Sequence, residues 1–190
     1  MTDARGGAPP APDTIGRSAP SFRGLFAVAL WIAAVWLAFS GYRDLIHPDE
    51  GRYAEIPREM VASGDWITPR LDGLKYFEKP PLQYWATAAA FQCFGESNAT
   101  ARVWPIGLGL LSVLWVFLLG RRLFGAETGA IGAVILGSSL LWVALGHILT
   151  LDTGLSAFLA LALGAMAWAQ TYRDDPARVV RWMLLAWAAA

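Results

Sequence analysis

Long runs without a charged side chain, separated by short charged segments, are the feature that most limits what this chain can become. Residues 24–40, 103–120, 128–151 and 153–171 contain no Asp, Glu, Lys or Arg. A helix needs roughly 20 apolar residues, with a usual range near 17–25, to cross about 30 Å of hydrocarbon. All four runs reach that length. A fifth begins at Trp182 and is interrupted by the end of the sequence. Proteins rarely stop midway through a span, so the chain is expected to be the N-terminal part of a larger membrane protein.

Composition agrees. Hydrophobic residues make up 56% and charged residues 16%, against about 25% charged in soluble domains. Ten Trp residues suit rings placed at membrane–water interfaces. Fifteen basic residues balance fifteen acidic ones, so there is no basic excess for nucleic acid. The lone Cys93 rules out an intrachain disulfide or a Cys-based zinc cluster. The expected fold is all-α, a polytopic transmembrane helical bundle bedded in lipid, with horizontal juxtamembrane helices in its first extracytoplasmic loop.

The segments follow from the pattern. Residues 1–22 are rich in Gly, Pro and Ala and read as a disordered cytoplasmic tail. Residues 23–41 form an uncleaved first span, because the run exceeds a signal h-region and no small-residue cleavage site follows. Residues 42–102 form an outer loop. Further spans are expected at 103–120, 127–149 and 153–171, with the start of a fifth at 180–190.

Charge is concentrated in that first loop: residues 41–80 hold fourteen of the thirty charged side chains. Within it, Tyr53, Ile56 and Met60 form a weak helical stripe stopped by Gly64. Pro57 is expected to kink this helix or split it. Residues 81–95 are apolar but too short to span, and are read as interfacial. With that choice Arg17 and Arg23, Arg121 and Arg122, and Arg173, Arg178 and Arg181 share one face, as the positive-inside rule expects. The Asp49 loop and the 150–152 turn then share the other face. Small residues at Gly129, Gly132, Ala133, Gly137 and Ser138, then at Ser156, Ala160 and Gly164, suit close helix packing in lipid.

Three places could carry chemistry, and each has a plainer reading. Asp49 and Glu50 could orient a polar substrate, hold a metal or act as a base; they could equally cap the following helix. Glu78 and Lys79 could meet a lipid phosphate, or form a solvated pair. Asp152 lies at a membrane edge, where an ionisable group raises a functional hypothesis or caps the next helix. His147 alone reads as an interfacial residue. Arg52, Arg58 and Arg70 suit phosphate clamps or lipid headgroups. Walker, dinucleotide, serine-hydrolase and zinc-protease motifs are all absent, so no nucleotide cofactor is expected. The spans lack interior acids, which weakens an ion-coupled transporter.

Together these motifs resemble a family. HPDEGRYAEIPREMVASGDWITPRLDGLKYFEKPPLQYW, then FGESNATARVWP, RRLFG and an Asp after the next span are similar to the glycosyltransferase 39 group. Within it they are most like bacterial lipid A aminoarabinose transferases, with protein O-mannosyltransferases as relatives; the likeness covers residues 24–172. The resemblance implies a GT-C fold in the bacterial inner membrane, with its active site facing the periplasm. It implies an inverting transfer of a sugar from a polyprenyl-phosphate carrier to lipid A or another extracytoplasmic acceptor. Asp49 and Asp152 would be the catalytic acids. Glu50, Arg52, Tyr53 and Lys79 would contact substrate, and Glu78 would be a ligand if a divalent ion (Zn, Mg or Mn) takes part. Further catalytic positions would lie beyond Ala190, leaving this chain inactive alone. The competing reading of another class is a non-catalytic polyprenyl-lipid flippase.

Overall fold

The uncharged runs become helices in the computed structural model, which describes residues 22–190. The expected tail lies outside these residues, except for Phe22, which opens the first helix. In lipid a backbone must satisfy its own hydrogen bonds, and an apolar run achieves this as a helix. Three such helices are α1 (Phe22–Ala38), α5 (Val103–Phe124) and α8 (Asp152–Ala169). At 22 residues, α5 is about 33 Å long at the helical rise. Together with the short 3-10 turn Gln170–Tyr172, α8 also reaches spanning length. The chain is an all-α membrane protein.

Several boundaries differ from the expected ones. The span expected at 127–149 is broken: α6 (Ala126–Ser138) and α7 (Leu140–Gly146) meet at a 63° bend. Ser139 there is extended, which takes the Gly137 carbonyl out of the helical ladder. The buried indole of Trp36 donates to that carbonyl at 3.0 Å, so the break leaves no orphan acceptor. Among the described residues, two helices are long and apolar enough to cross, or three if the bent pair is one span. The apolar part of α1, Phe26–Ala38, is shorter than that. Finally, α9 (Pro176–Ala189) begins before residue 180, because Asp175 accepts from the Arg178 N–H at 3.2 Å and Pro176 occupies the first turn.

Between α1 and α5 lie α2 (Asp49–Ser63), a hairpin of β1 (Arg70–Leu71) and β2 (Leu74–Lys75), α3 (Leu82–Phe94) and the single turn α4 (Asn98–Ala101). Asp72 and Gly73 both have positive φ, 53° and 75°, the backbone that a two-residue hairpin turn requires. Pro57 neither stops nor splits α2. Tyr53, Ile56 and Met60 are buried against Tyr84, Ala88 and Phe91 of α3, and this packing outweighs the lost backbone bond. Gly64 ends the helix in the left-handed region, with its N–H on the Met60 carbonyl at 3.0 Å.

Spans pack through glycine. A methyl group on Gly109 or Gly146 would stand 2.2 or 2.3 Å from the Trp36 ring, and one on Gly120 would stand 2.8 Å from Gly129 Cα. Hence α1 lies against both α5 and α7, and α5 against α6, at distances only glycine permits.

Glu50 ties these parts together. Its side chain is fully buried. One carboxylate oxygen accepts from Arg102 Nε at 3.1 Å and from the Leu149 N–H at 2.8 Å. The other pairs with Arg43 and accepts from the Ile46 N–H at 2.9 Å. Arg102, also buried, donates to the carbonyls of Ser40, Arg43 and Asp44 at 2.9–3.1 Å. One ion cluster thus joins the end of α1, the start of α2, the start of α5 and the loop before α8. Residues 42–102 leave and return to the same end of the bundle, and α3 does not cross it.

Burial pushes the Glu50 carboxyl up, but hydrogen bonds from Arg43, Arg102 and the two backbone N–H groups outweigh it and hold the value at about 2. The stabilisation this gives is fully present above the ordinary value of 4.5 and is lost as pH falls through about 2. Glu50→Gln should cost about 3–5 kcal/mol, since it leaves two guanidiniums uncompensated. Thermal unfolding in detergent should show that loss at neutral pH, with the gap to wild type closing as pH falls below 4.5. The shared end is checked by labelling. In a Cys93→Ala background, which removes the exposed native thiol, Asp72→Cys and Leu151→Cys should react from the same side of the membrane. Reaction from opposite sides would contradict this topology.

Candidate functional site

At the end held by Glu50, the first turn of α2 presents Asp49 to solvent. Asp49 does not cap the helix: Pro48 occupies the cap position, with no side-chain capping bond. The Asp49 carboxylate instead pairs with Arg52, one turn on. This bond holds the Arg52 guanidinium firmly charged, and its carbon lies 5.8 Å from the Tyr53 ring centre. Arg52 Nε is buried and has no hydrogen-bond partner.

Beside Arg52 stands a group of tyrosines. Tyr53 lies 6.3 Å from Tyr84, ring to ring. Tyr76, placed by the hairpin, donates its hydroxyl to Glu78, and that carboxylate bond raises the phenol above its ordinary value. Burial is the main cause that raises Tyr84, with the field of Tyr76, Tyr53 and Glu78 adding to it. The Tyr84 hydroxyl is buried without a partner. Asp49, Arg52, Tyr53, Tyr76, Glu78 and Tyr84 therefore form one neighbourhood. It contains a paired but incompletely bonded cation and an unpartnered hydroxyl.

The other expected residues sort differently. Glu50, read from the sequence as a substrate contact, cannot serve as one: it is buried and its oxygens are filled by Arg43, Arg102, Ile46 and Leu149. Lys79 is exposed and has no ion pair among the described residues. Asp152 opens α8, exposed, its carboxylate without a hydrogen bond or ion pair among the described residues; it is three residues from Leu149 and so shares the end that carries Asp49. His147 is not free to act as a ligand, since its ring nitrogens sit 2.7 Å from the carbonyl oxygens of Val143 and Trp36. Arg58 is engaged by Glu55 at 2.6 and 2.8 Å, and Arg70 faces Asp65 at 3.8 Å. Of the candidate cations, Lys79 has no ion pair among the described residues, and Arg52 combines its pair with Asp49 with an unbonded Nε.

Glu78 alone does not make a metal site. Among the described residues it belongs to no group of three potential ligands; the acids that do approach one another are Glu55, Glu59 and Asp72. Glu55 is already paired with Arg58, and Glu59 accepts from the Gly73 N–H at 3.2 and 3.3 Å.

Sequence reasoning missed Arg43, Arg102, Tyr76 and Tyr84. For Arg102 a signal existed: it stands immediately before an 18-residue uncharged run (residues 103–120), where an unpaired charge would be costly.

Relatives include the undecaprenyl phosphate-alpha-4-amino-4-deoxy-L-arabinose arabinosyl transferases of Edwardsiella ictaluri, 38% identical over 74% of this chain and 26% of the relative, and of Sodalis glossinidius, 38% identical over 89% and 30%. The crystal structure of ArnT from Cupriavidus metallidurans bound to undecaprenyl phosphate superposes with a TM-score of 0.84 at 38% identity, covering 89% of this chain and 31% of that one. Its apo structure gives 0.80 at 39%, over 87% and 30%. The chain thus spans about a quarter to a third of the length of the relatives it matches. With residues 21–190 matching that family, the chain belongs to the dolichyl-phosphate-mannose-protein mannosyltransferase family.

Proposed function

We propose that this chain is part of an inverting membrane glycosyltransferase that takes a sugar from a polyprenyl-phosphate carrier. The sugar and carrier that best fit are aminoarabinose and undecaprenyl phosphate, and the acceptor is a lipid A phosphate. The active site faces the periplasm from the inner membrane. One observation carries the reading: Arg52, charged and carrying an unbonded Nε, stands in a tyrosine-walled neighbourhood beside Asp49. Support comes from a solved relative, 38% identical, whose structure holds undecaprenyl phosphate. The family match by itself would equally suit mannosyl transfer to protein; the names of the similar bacterial proteins favour aminoarabinose.

The chemistry assigns roles. In the transfer, the acceptor oxygen forms a bond to the anomeric carbon as the bond to the carrier phosphate breaks, and the electron pair leaves with that phosphate. A phosphate is a good leaving group, so its developing charge needs cations more than a strong acid. Arg52 and Lys79 supply those cations. Tyr53 packs beside the Arg52 guanidinium, and the buried Tyr84 ring backs Tyr53 from the core side. A lipid A phosphate is already ionised, so Asp49 orients the acceptor or the sugar amine and stabilises positive charge on the ring. A hydroxyl acceptor would instead need Asp49 as base. Asp152 is the second acid on the same end. If a divalent ion takes part, Glu78 would be one of its ligands.

In the full-length protein, Asp49→Asn should lower sugar transfer by about 100-fold or more while carrier binding stays nearly unchanged. Normal transfer would remove Asp49 from the mechanism. A non-catalytic lipid-handling protein would show no transfer in the wild type. Lys79→Ala should weaken polyprenyl-phosphate binding by about tenfold, the loss of one charge-assisted contact; unchanged affinity, read by titration with the carrier lipid, would refute the phosphate role.

A further inference from the structure

The opposite end of the bundle carries a second polar feature. An open groove of about 370 Å³ is lined by Tyr172, Arg178, Arg181, Trp182 and Leu185. Its position follows from connectivity: Arg122, near the end of α5, donates to Thr171 just past α8 at 3.0 and 3.1 Å. Both spans therefore finish here, away from Glu50. The guanidinium carbons of Arg122 and Arg178 lie 4.8 and 5.1 Å from the Tyr172 ring centre. Trp182 stacks on Trp168 at 4.7 Å and lies 6.1 Å from Trp115.

The charges here are poorly balanced. Arg178 has a partner in Asp175 at 3.0 Å. Arg181 is exposed and has neither an ion pair nor a hydrogen bond among the described residues. Both arginines sit in the first two turns of α9, where the helix macrodipole already contributes partial positive charge. The two charged residues lining the groove are both cations, and its remaining walls are aromatic and aliphatic. A ligand for it needs a compact anion joined to an apolar body, placed where spanning helices meet headgroups.

We propose that this groove binds the phosphodiester headgroup of an anionic phospholipid. Arg178 and Arg181 take the phosphate oxygens, which the planar guanidinium fork suits. Trp182 and Leu185 lie along the first acyl carbons. Basic pockets between spanning helices hold anionic headgroups by this combination. A zwitterionic lipid brings its own cation to two arginines and binds less well. A free phosphate leaves the apolar wall unused. The assignment does not depend on sugar transfer.

Native mass spectrometry of the purified full-length protein tests it, with phosphatidylglycerol, phosphatidylcholine and inorganic phosphate as probes. One phosphatidylglycerol should be retained in preference to phosphatidylcholine. Arg181→Ala, which has no partner to lose, should weaken that binding about fivefold, and the Arg178→Ala/Arg181→Ala pair about thirtyfold. Arg121→Ala, on the same end but outside the groove, should leave it unchanged. Equal retention of both lipids would overturn the proposal, as would wild-type selectivity in Arg181→Ala. Phosphate that binds saturably and displaces the lipid would reassign the groove to a soluble anion.

Discussion

One buried carboxylate organises the membrane-edge end of this molecule. Glu50 is fully removed from solvent yet charged, a state tolerated because two guanidiniums and two backbone N–H groups surround it. These partners come from the end of α1, the head of α5 and the loop before α8. A span end, a functional helix and a second acid-bearing loop are thereby locked in one arrangement. A hydrophobic contact has no direction and could slide. An arginine whose nitrogens each meet an oxygen cannot, and Arg102 meets three carbonyls besides Glu50.

Two kinds of packing meet at that end. Below it the spans close through glycines pressed on Trp36 and on each other, because helices in lipid gain by close approach more than by excluding water. Above it α2 and α3 bury a face of Tyr53, Ile56, Met60, Tyr84 and Phe91 in the manner of a soluble domain. The Asp49–Arg52 pair projects from the rigid helix formed there. Its position is thus set by a helix packed on one side and tethered at its first turn, which suits a site that must hold charged groups in register.

The two ends of the bundle contrast in charge. Asp49, Asp152 and Glu78 stand with Arg52 and Lys79 at one end, where both signs are available. The other holds Arg121, Arg122, Arg173, Arg178 and Arg181 against Glu127, Asp174 and Asp175. A mixed-charge end suits chemistry on polar groups, and a basic end suits anchoring to an anionic surface.

The uncharged runs were enough to establish an all-α membrane bundle, because a long, unbroken apolar run satisfies its own hydrogen bonds in lipid as a helix, whereas barrel strands are short and alternate apolar with polar residues. Local sequence also announced the Tyr53–Ile56–Met60 stripe and the Gly64 stop, since both depend on helical spacing and on one residue's φ. The 63° break between α6 and α7 was hidden, because it depends on an indole 101 residues away accepting the task of satisfying the Gly137 carbonyl. Pro57 misled for the same kind of reason: its local cost is visible, and the packing of α3 that offsets it is not. Asp49 and Glu50 are neighbours of nearly identical chemistry, and nothing local distinguishes them. A helix turns about 100° per residue, so one faces solvent and Arg52 while the other faces Arg43 and Arg102. Residue type determined which groups could carry charge; only the tertiary structure decided which charge became scaffold and which stayed free to act.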